Sequence, residues 1–127
     1  MSSIQLSLAL ASREPKKLSE FYAFATNGDL QTGINRDHHL IVHTSGLSIQ
    51  VYRPKINQSW SNRSNAAAVC LQQAPSAKPL SSINEWTDSL VSKGAKVISK
   101  PNIESFGVEV WLADPDGNHF LIFVPKN

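Results

Sequence analysis

The sequence is poor in the features that mark several large classes of protein. Cys70 is the single cysteine, which excludes an internal disulfide and any zinc site built on cysteine pairs. No apolar run approaches the length that a membrane-spanning helix requires. The N-terminus lacks the basic region of a signal peptide, so we expect a reducing, cytoplasmic location. Motifs for a phosphate-binding loop, a serine nucleophile elbow or paired catalytic carboxylates are absent from the sequence.

The sequence also lacks a large excess of charge of one sign. The 127 residues include 12 Lys and Arg against 10 Asp and Glu, and Lys16-Lys17 is the only adjacent basic pair. The formal net charge of +2 argues against a nucleic-acid-binding surface or a polybasic membrane anchor. A hydrophobic content of 41% with 17% charged residues is typical of a folded domain. We therefore expect a single domain over residues 1–127, with no nucleic-acid and no membrane partner.

The first half of the sequence predicts one strand, one helix and three further strands. Apolar residues first recur at every second position, which is the period of a strand with one buried face. They then recur at i, i+3, i+4 and i+7, the period of an amphipathic helix, which Asn27-Gly28 ends. The first set is Ile4, Leu6, Leu8 and Leu10, and the second is Leu18, Phe21, Tyr22 and Ala25. Strand candidates follow at residues 30–35, 39–43 and 47–53.

The pattern restarts after a polar segment, which we interpret as a linker at about residues 57–65. A strand at 66–72 precedes a helix in which Ser82 and Glu85 fit a capping box and which Gly94 closes. Further strands are predicted near 96–99, 106–113 and 119–124. The order strand, helix, three strands thus occurs twice, which favours a duplicated α+β fold over an ordinary α+β domain.

The last two predicted strands are joined by Asp114-Pro115-Asp116-Gly117-Asn118, whose residue types favour a tight turn and hence a hairpin. This DPDGN motif, the opening strand and the helix ends LSEFYAFATNG and VSKGA resemble the vicinal oxygen chelate superfamily of glyoxalases, bleomycin-resistance proteins and ring-cleaving dioxygenases. The resemblance covers nearly the whole chain. It implies two βαβββ modules, about residues 1–56 and 66–127, whose curved mixed sheets enclose a cavity. We also expect a homodimer, because each open sheet has an edge to cover.

Metal-dependent members of that superfamily place four ligands, usually His, Glu or Gln, on strand positions that face the cavity. Carried onto this sequence, the four positions fall on Ser7, Gln50, Ala66 and Leu121. Gln50 is the one good ligand among them, whereas Ala66 and Leu121 cannot bind a cation. We therefore expect no metal and no other cofactor.

Strand parity predicts which side chains face a ligand. Pairing Ala113 with His119 sets Trp111 opposite Leu121 and Glu109 opposite Phe123. The candidate ligand-binding residues are Gln50, Tyr52, Gln72, Glu109, Trp111, His119, Leu121 and Phe123. In the predicted strand at residues 39–43, the same reasoning places His39, Ile41 and His43 on the ligand-facing side. Aromatic walls with a few polar anchors are typical of a small-molecule pocket, and a half-solvated sheet face or a dimer contact is the alternative.

These patterns support three functional hypotheses. The first is a metal-independent binder of a small, partly aromatic or apolar organic molecule, similar to the bleomycin-resistance branch. The second is a lyase, isomerase or dioxygenase of the superfamily with a displaced metal or none, for which Glu109 is the candidate base. The third is a non-catalytic interaction module. Glu109 is the one acidic residue on the proposed face, which argues against a cationic ligand such as bleomycin.

Overall fold

The computed structural model describes residues 7–54 and 68–127, in which short strands accompany one helix in each stretch. The chain divides into two units, Met1–Ser61 and Asn62–Asn127. The described part of each unit combines its helix with a mixed sheet, so the fold is α+β, as the sequence predicts. Neither of these helices is long and apolar enough to cross a membrane. The start of the first predicted strand, the linker at 57–65 and Ala66 lie outside the described residues.

The first unit contains four described strands and one helix. They are β1 (Ser7–Ala11), α1 (Pro15–Thr26), β2 (Asp29–Thr32), β3 (His38–Val42) and β4 (Ser48–Tyr52). The sheet order is β1-β4-β3-β2, with β1 parallel to β4 and the other neighbours antiparallel. Helix α1 packs on β3 and β4, and the side chains on the other face of these strands are mostly half-buried. The predicted strand–helix–three-strand order is therefore confirmed in this half.

Both ends of α1 follow from the sequence. Pro15 stands in the first turn, where its missing N–H removes no helical hydrogen bond. The helix ends at Asn27, which adopts the left-handed conformation with φ of 54° and donates its N–H back to the last turn. The buried apolar side chains of the helix include Leu18, Phe21 and Tyr22. These are three of the four residues that the helical period predicts to face the core.

The second unit contains five described strands and one helix. They are β5 (Cys70–Gln72), α2 (Pro79–Ser92), β6 (Lys96–Val97), β7 (Asn102–Glu104), β8 (Gly107–Ala113) and β9 (His119–Pro125). The sheet order is β5-β9-β8-β6, β5 is parallel to β9, and β7 pairs with β8. Strand β7 is an addition to the predicted order. Its three residues are all exposed, so no apolar alternation marks it in the sequence.

The predicted capping box at the start of α2 is wrong. The helix begins at Pro79, and Lys78 stands at the N-cap position without a side-chain cap hydrogen bond. Ser82 therefore lies inside the first turn, and its Oγ pairs with Ser76 Oγ at 2.8 Å. The physical reason is that a proline, with its helical φ and no N–H, suits the first helical position whether or not a polar cap precedes it.

The β8–β9 hairpin has the predicted register. Ala113 pairs with His119, Trp111 with Leu121 and Glu109 with Phe123. The alternate residues form the core of the unit against α2, and all are almost fully buried. They are Val108, Val110, Leu112, Phe120, Ile122 and Val124. Alternation of this kind fixes the register, because a shift by one residue would expose the whole apolar set.

The hairpin turn is organised around the buried carboxylate of Asp114, which is 2% exposed. Its Oδ1 accepts the backbone N–H groups of Asp116 and Asn118, both at 2.9 Å. The side-chain amide of Asn118 donates to Oδ1 at 3.2 Å and to Oδ2 at 3.0 Å. Gly117 takes the left-handed conformation, with φ of 90°. The DPDGN motif thus encodes a hydrogen-bonded turn.

We predict that Asp114→Ala lowers the free energy of unfolding by about 2–3 kcal/mol, because two partly buried backbone N–H groups and the Asn118 amide lose a charged acceptor. Asp116→Ala is the matched control, since this side chain is exposed in the same turn and its removal should cost no more than about 0.5 kcal/mol. Urea denaturation of the two variants measures the difference. Equal losses in both variants would contradict this role of Asp114.

Candidate functional site

The face of the first sheet away from α1 carries Gln50 and Tyr52, two of the residues predicted to bind a ligand. Strand pairing sets His38 opposite Tyr52 and Leu40 opposite Gln50. Directly paired residues project from the same face of a sheet, so His38, Gln50 and Tyr52 share one surface. We call this surface the Gln50 face. Its central side chains are half-buried, which leaves them within reach of a bound molecule.

A directed chain of hydrogen bonds crosses the Gln50 face. The backbone N–H of Ile34 donates to His38 Nδ1 at 3.0 Å, so this nitrogen is an acceptor and carries no proton. The proton of the neutral ring is therefore on Nε2, which donates to Gln50 Oε1 at 3.0 Å. The Gln50 amide nitrogen then donates to Ser7 Oγ at 2.8 Å. Both ends of the Gln50 amide are thereby committed to partners within the protein.

A cavity of about 750 Å³ opens on this face, and all of its lining residues belong to the first unit. Its charged and polar lining includes Arg36, Asp37, His38, Gln50, Tyr52 and Arg53. Arg53 Nε lies 3.6 Å from Asp37 Oδ1, and both side chains are about half exposed. Such a solvated pair contributes little to stability but positions both groups beside the cavity. The volume falls within the usual range for small-molecule sites.

The second unit brings the other predicted residues to one face of its own sheet. Neighbouring strands form two rows, Cys70–Leu121–Trp111 and Gln72–Phe123–Glu109. His119 has the same parity at the start of β9, where it is exposed opposite Ala113. Trp111 is 37% exposed, so part of its indole surface is accessible to a ligand. We call this surface the Trp111 face.

Phe123 is fixed on the Trp111 face by two neighbours. Its ring lies against Phe106, with ring centroids 5.9 Å apart. A Cβ on Gly107 would lie 2.7 Å from Phe123 Cε1, so the ring covers this glycine. The position of the ring is therefore set by the protein before any ligand arrives.

The Trp111 face carries two acidic residues, because β7 sets Asn102 opposite Glu109 and Glu104 opposite Gly107. The expectation that Glu109 is the one acidic residue there is therefore wrong. Asn102 Nδ2 donates to Glu109 Oε1 and to Glu104 Oε1, both at 3.1 Å. Desolvation raises the pKa of the Cys70 thiol, and the charge of Glu109 raises it further. Cys70 therefore remains a protonated thiol at neutral pH and is a poor nucleophile. The role of Glu109 as a base stays a prediction.

The parity of β3 differs from the prediction. The sequence analysis places His39, Ile41 and His43 on the ligand side. The structure instead turns His38 to the Gln50 face, whereas Ile41 is 1% exposed and packs in the core. Leu40, Ile41 and Val42 offer apolar side chains at both parities, so alternation does not define a face here. The sequence analysis therefore missed His38. Because His38 and His39 are adjacent in a strand, one of them must lie on each face, and this signal could have identified a histidine on the Gln50 face.

The residues at the implied metal-ligand positions do not fit a divalent cation. Gln50 Oε1 accepts a hydrogen bond from His38, Ser7 Oγ accepts one from Gln50, and Leu121 has no donor atom. Ala66, the fourth position, lies outside the described residues. No group of three or more His, Cys, Asp or Glu within residues 7–54 and 68–127 is arranged to hold a metal ion. A cation needs several such ligands to offset its dehydration.

Comparison with known proteins identifies the fold but not a close relative. No family model matches the sequence, and no curated protein matches it. A glyoxalase/bleomycin resistance protein/dioxygenase family enzyme from Burkholderia phytofirmans PsJN is 13% identical, with a TM-score of 0.73 over 93% of this chain and 95% of that chain. A glyoxalase/bleomycin resistance protein from Albidiferax ferrireducens T118 is 14% identical, with a TM-score of 0.67 over 93% and 95%.

A third solved structure is the fosfomycin resistance protein FosX from Listeria monocytogenes. It is 16% identical, with a TM-score of 0.67 over 98% of this chain and 94% of that chain. Identities this low establish a shared fold and nothing finer. The chain therefore has the α+β fold of the glyoxalase type, which confirms the fold that the sequence resemblance implies.

The position of His38 depends on Gly33, and this generates a prediction. A Cβ on Gly33 would overlap the imidazole ring of His38, although the backbone of Gly33 is not in the left-handed region and suits alanine. Gly33→Ala should therefore lower the free energy of unfolding by about 1–3 kcal/mol, because the ring must leave its place. The measurement is urea denaturation, performed in the wild-type and in the His38→Ala background.

The double-mutant cycle separates this clash from a backbone effect. With His38→Ala already present, Gly33→Ala should be neutral or stabilise by about 0.5 kcal/mol, since alanine restricts the unfolded chain. If Gly33→Ala costs the same in both backgrounds, Gly33 does not act through the His38 ring.

Proposed function

We propose that this chain binds a small organic molecule and needs no metal to do so, because it combines the glyoxalase-type fold with residues that do not form a matching set of metal ligands. The observation that carries the proposal is the double engagement of Gln50, whose amide oxygen and nitrogen both have protein partners. An amide held at both ends is a rigid part of a cavity floor. A metal ion would first have to break the contact with His38, at the cost of a partly buried hydrogen bond.

Aromatic surface on both sheets supports an organic ligand. Tyr52 lines the cavity on the Gln50 face, and Trp111 and Phe123 lie on the Trp111 face. Aromatic side chains bind flat organic groups through large contact areas and stacking geometry. On the Gln50 face, we assign a polar contact with a ligand to the second N–H of the Gln50 amide. On the Trp111 face, we assign polar contacts to Gln72, Glu109 and His119, with Leu121 as apolar wall. The names of the structural neighbours include resistance proteins for bleomycin and fosfomycin, which are small organic molecules.

A screen of small organic compounds by thermal unfolding tests this function. A true ligand present at about one hundred times its Kd should raise the free energy of unfolding by about 2.7 kcal/mol. The same rise is expected after treatment with EDTA, because no metal takes part. A rise that disappears with EDTA and returns with stoichiometric zinc, nickel or manganese would contradict metal-independent binding, and a screen without a ligand would contradict the function itself.

Trp111→Ala tests the assignment of the Trp111 face with a ligand found in that screen. We expect the Kd to rise about tenfold, because stacking surface is lost. Phe24→Ala is the control, since Phe24 is an aromatic residue of α1 that is 44% exposed, against 37% for Trp111. Unchanged affinity in Trp111→Ala would show that this face does not contact the ligand.

We further propose that the protein is a homodimer. All four residues of β2, the edge strand of the first sheet, are exposed. An open strand edge offers unpaired backbone groups that a second copy can cover. Analytical ultracentrifugation should give about twice the 13.9 kDa of one chain at micromolar concentration. A mass of one chain at that concentration would contradict the dimer.

A further inference from the structure

The cavity of the first unit has an unequal supply of hydrogen-bond donors and acceptors. Its acceptors are largely in use. Both ring nitrogens of His38 are occupied, and Gln50 Oε1 accepts from His38. Asn35 Oδ1 accepts the backbone N–H of Asp37 at 2.8 Å, and the Asp37 carboxylate faces Arg53. A ligand that enters therefore meets few unoccupied acceptor groups.

The donors of the same cavity are in surplus. Arg36 forms no ion pair with any residue in the described ranges, and a guanidinium carries five N–H donors. Arg53 uses its Nε towards Asp37, which leaves its terminal N–H groups. The Gln50 amide has one N–H beyond the one given to Ser7, and Tyr52, whose hydroxyl is a further donor, also lines the cavity. The cavity lining thus contains two guanidinium groups and one carboxylate, so its formal net charge is positive.

We propose that this cavity binds a small planar organic anion, with a carboxylate held by Arg36 and a flat ring laid against Tyr52. The proposal rests on the small-molecule function argued above and names its ligand class. Guanidinium groups bind carboxylates through two parallel N–H bonds, which fixes the plane of the bound group. Tyr52 supplies the flat surface in the same cavity, and the half-buried His38–Gln50 pair forms a polar floor that is already satisfied.

The charge of Arg36 is exposed, and this determines how it contributes. Its attraction for an anion falls with ionic strength, because solvated charges are screened by salt. A neutral molecule of the same shape gains the contact with Tyr52 but not the charge-assisted hydrogen bonds. A cation of the same shape also meets repulsion from two guanidinium groups. Affinity should therefore fall in the order anion, neutral molecule, cation.

Isothermal titration calorimetry with three probes of one shape tests the proposal on the full chain. The probes are 2-naphthoate, its neutral isostere 2-naphthamide and the cation 2-naphthylmethylammonium. We expect 2-naphthoate to bind about tenfold more tightly than 2-naphthamide, as one charge-assisted interaction provides. Raising the salt from 50 mM to 500 mM should remove most of this preference, which serves as a readout independent of any variant.

Two charge-matched variants locate the site. Arg36→Gln should weaken 2-naphthoate about tenfold and leave 2-naphthamide unchanged. Lys16→Gln removes the same charge from the same unit, but Lys16 is on α1 and does not line the cavity, so 2-naphthoate affinity should not change. Equal weakening in both variants would show a general charge effect and overturn the assignment to Arg36.

Failure of this inference is distinguishable from failure of the proposed function. If 2-naphthamide or the cation binds as tightly as 2-naphthoate, the anion inference is wrong and small-molecule binding stands. The same conclusion follows if the compound screen finds only neutral or cationic ligands and 2-naphthoate does not bind. If neither the probes nor the screen yields a ligand, the proposed function is overturned together with the inference.

Discussion

The hydrogen bond between His38 and Gln50 is the interaction on which the account of the first unit depends. It joins β3 to β4, and it exists because Ile34 fixes the ring tautomer from the other side. Gly33 leaves the space that the ring occupies. The chain continues to Ser7 of β1, so one line of donors and acceptors crosses three strands of the sheet. Each side chain in this line supplies a hydrogen-bond partner for the next, and such pairing is what a half-buried polar network needs to be stable.

This network has chemical consequences for what the fold can bind. At the positions that the sequence resemblance implies for metal ligands, the described chain presents an amide and a hydroxyl that are already paired, together with Leu121. Because the acceptors of His38 and Gln50 are occupied, our proposal assigns recognition in the cavity to the spare N–H groups of Arg36 and Arg53. The proposed recognition of an anion, in place of a metal cation, thus rests on the same few hydrogen bonds.

Much of the fold could be predicted from the sequence, because the signals that specify it lie in short stretches of neighbouring residues. The DPDGN turn and the alternation in β8 and β9 predict the hairpin register, because the turn residues and the apolar face agree. The Asn27 end of α1 and the Gly94 turn after α2 follow from backbone conformations that few residues adopt. Strand β7 and the start of α2 were not predicted, since one has no periodicity and the other begins at Pro79 without a polar cap.

The candidate site was harder to predict than the fold. Gln50 and Tyr52 lie on one face, as the parity of β4 predicts, and His38 joins them where His39 was expected. The parity of β3 could not be predicted, because the strand has apolar residues at both parities and only pairing with β4 decides between them. Arg36 and Asp37 line the cavity from the β2–β3 connection, where no hydrophobic periodicity in the sequence predicts the direction of a side chain. Sequence patterns predict elements with a buried face, whereas groups contributed by connections depend on tertiary structure.

The most direct test of the central claim is the protonation state of the His38 ring, measured by long-range ¹H–¹⁵N correlation NMR at neutral pH. The account predicts a protonated Nε2 and an unprotonated Nδ1, with the Gln50 amide signals unchanged when stoichiometric zinc is added. A proton on Nδ1, or loss of the Nε2 proton with a shift of the Gln50 amide on addition of zinc, would contradict it.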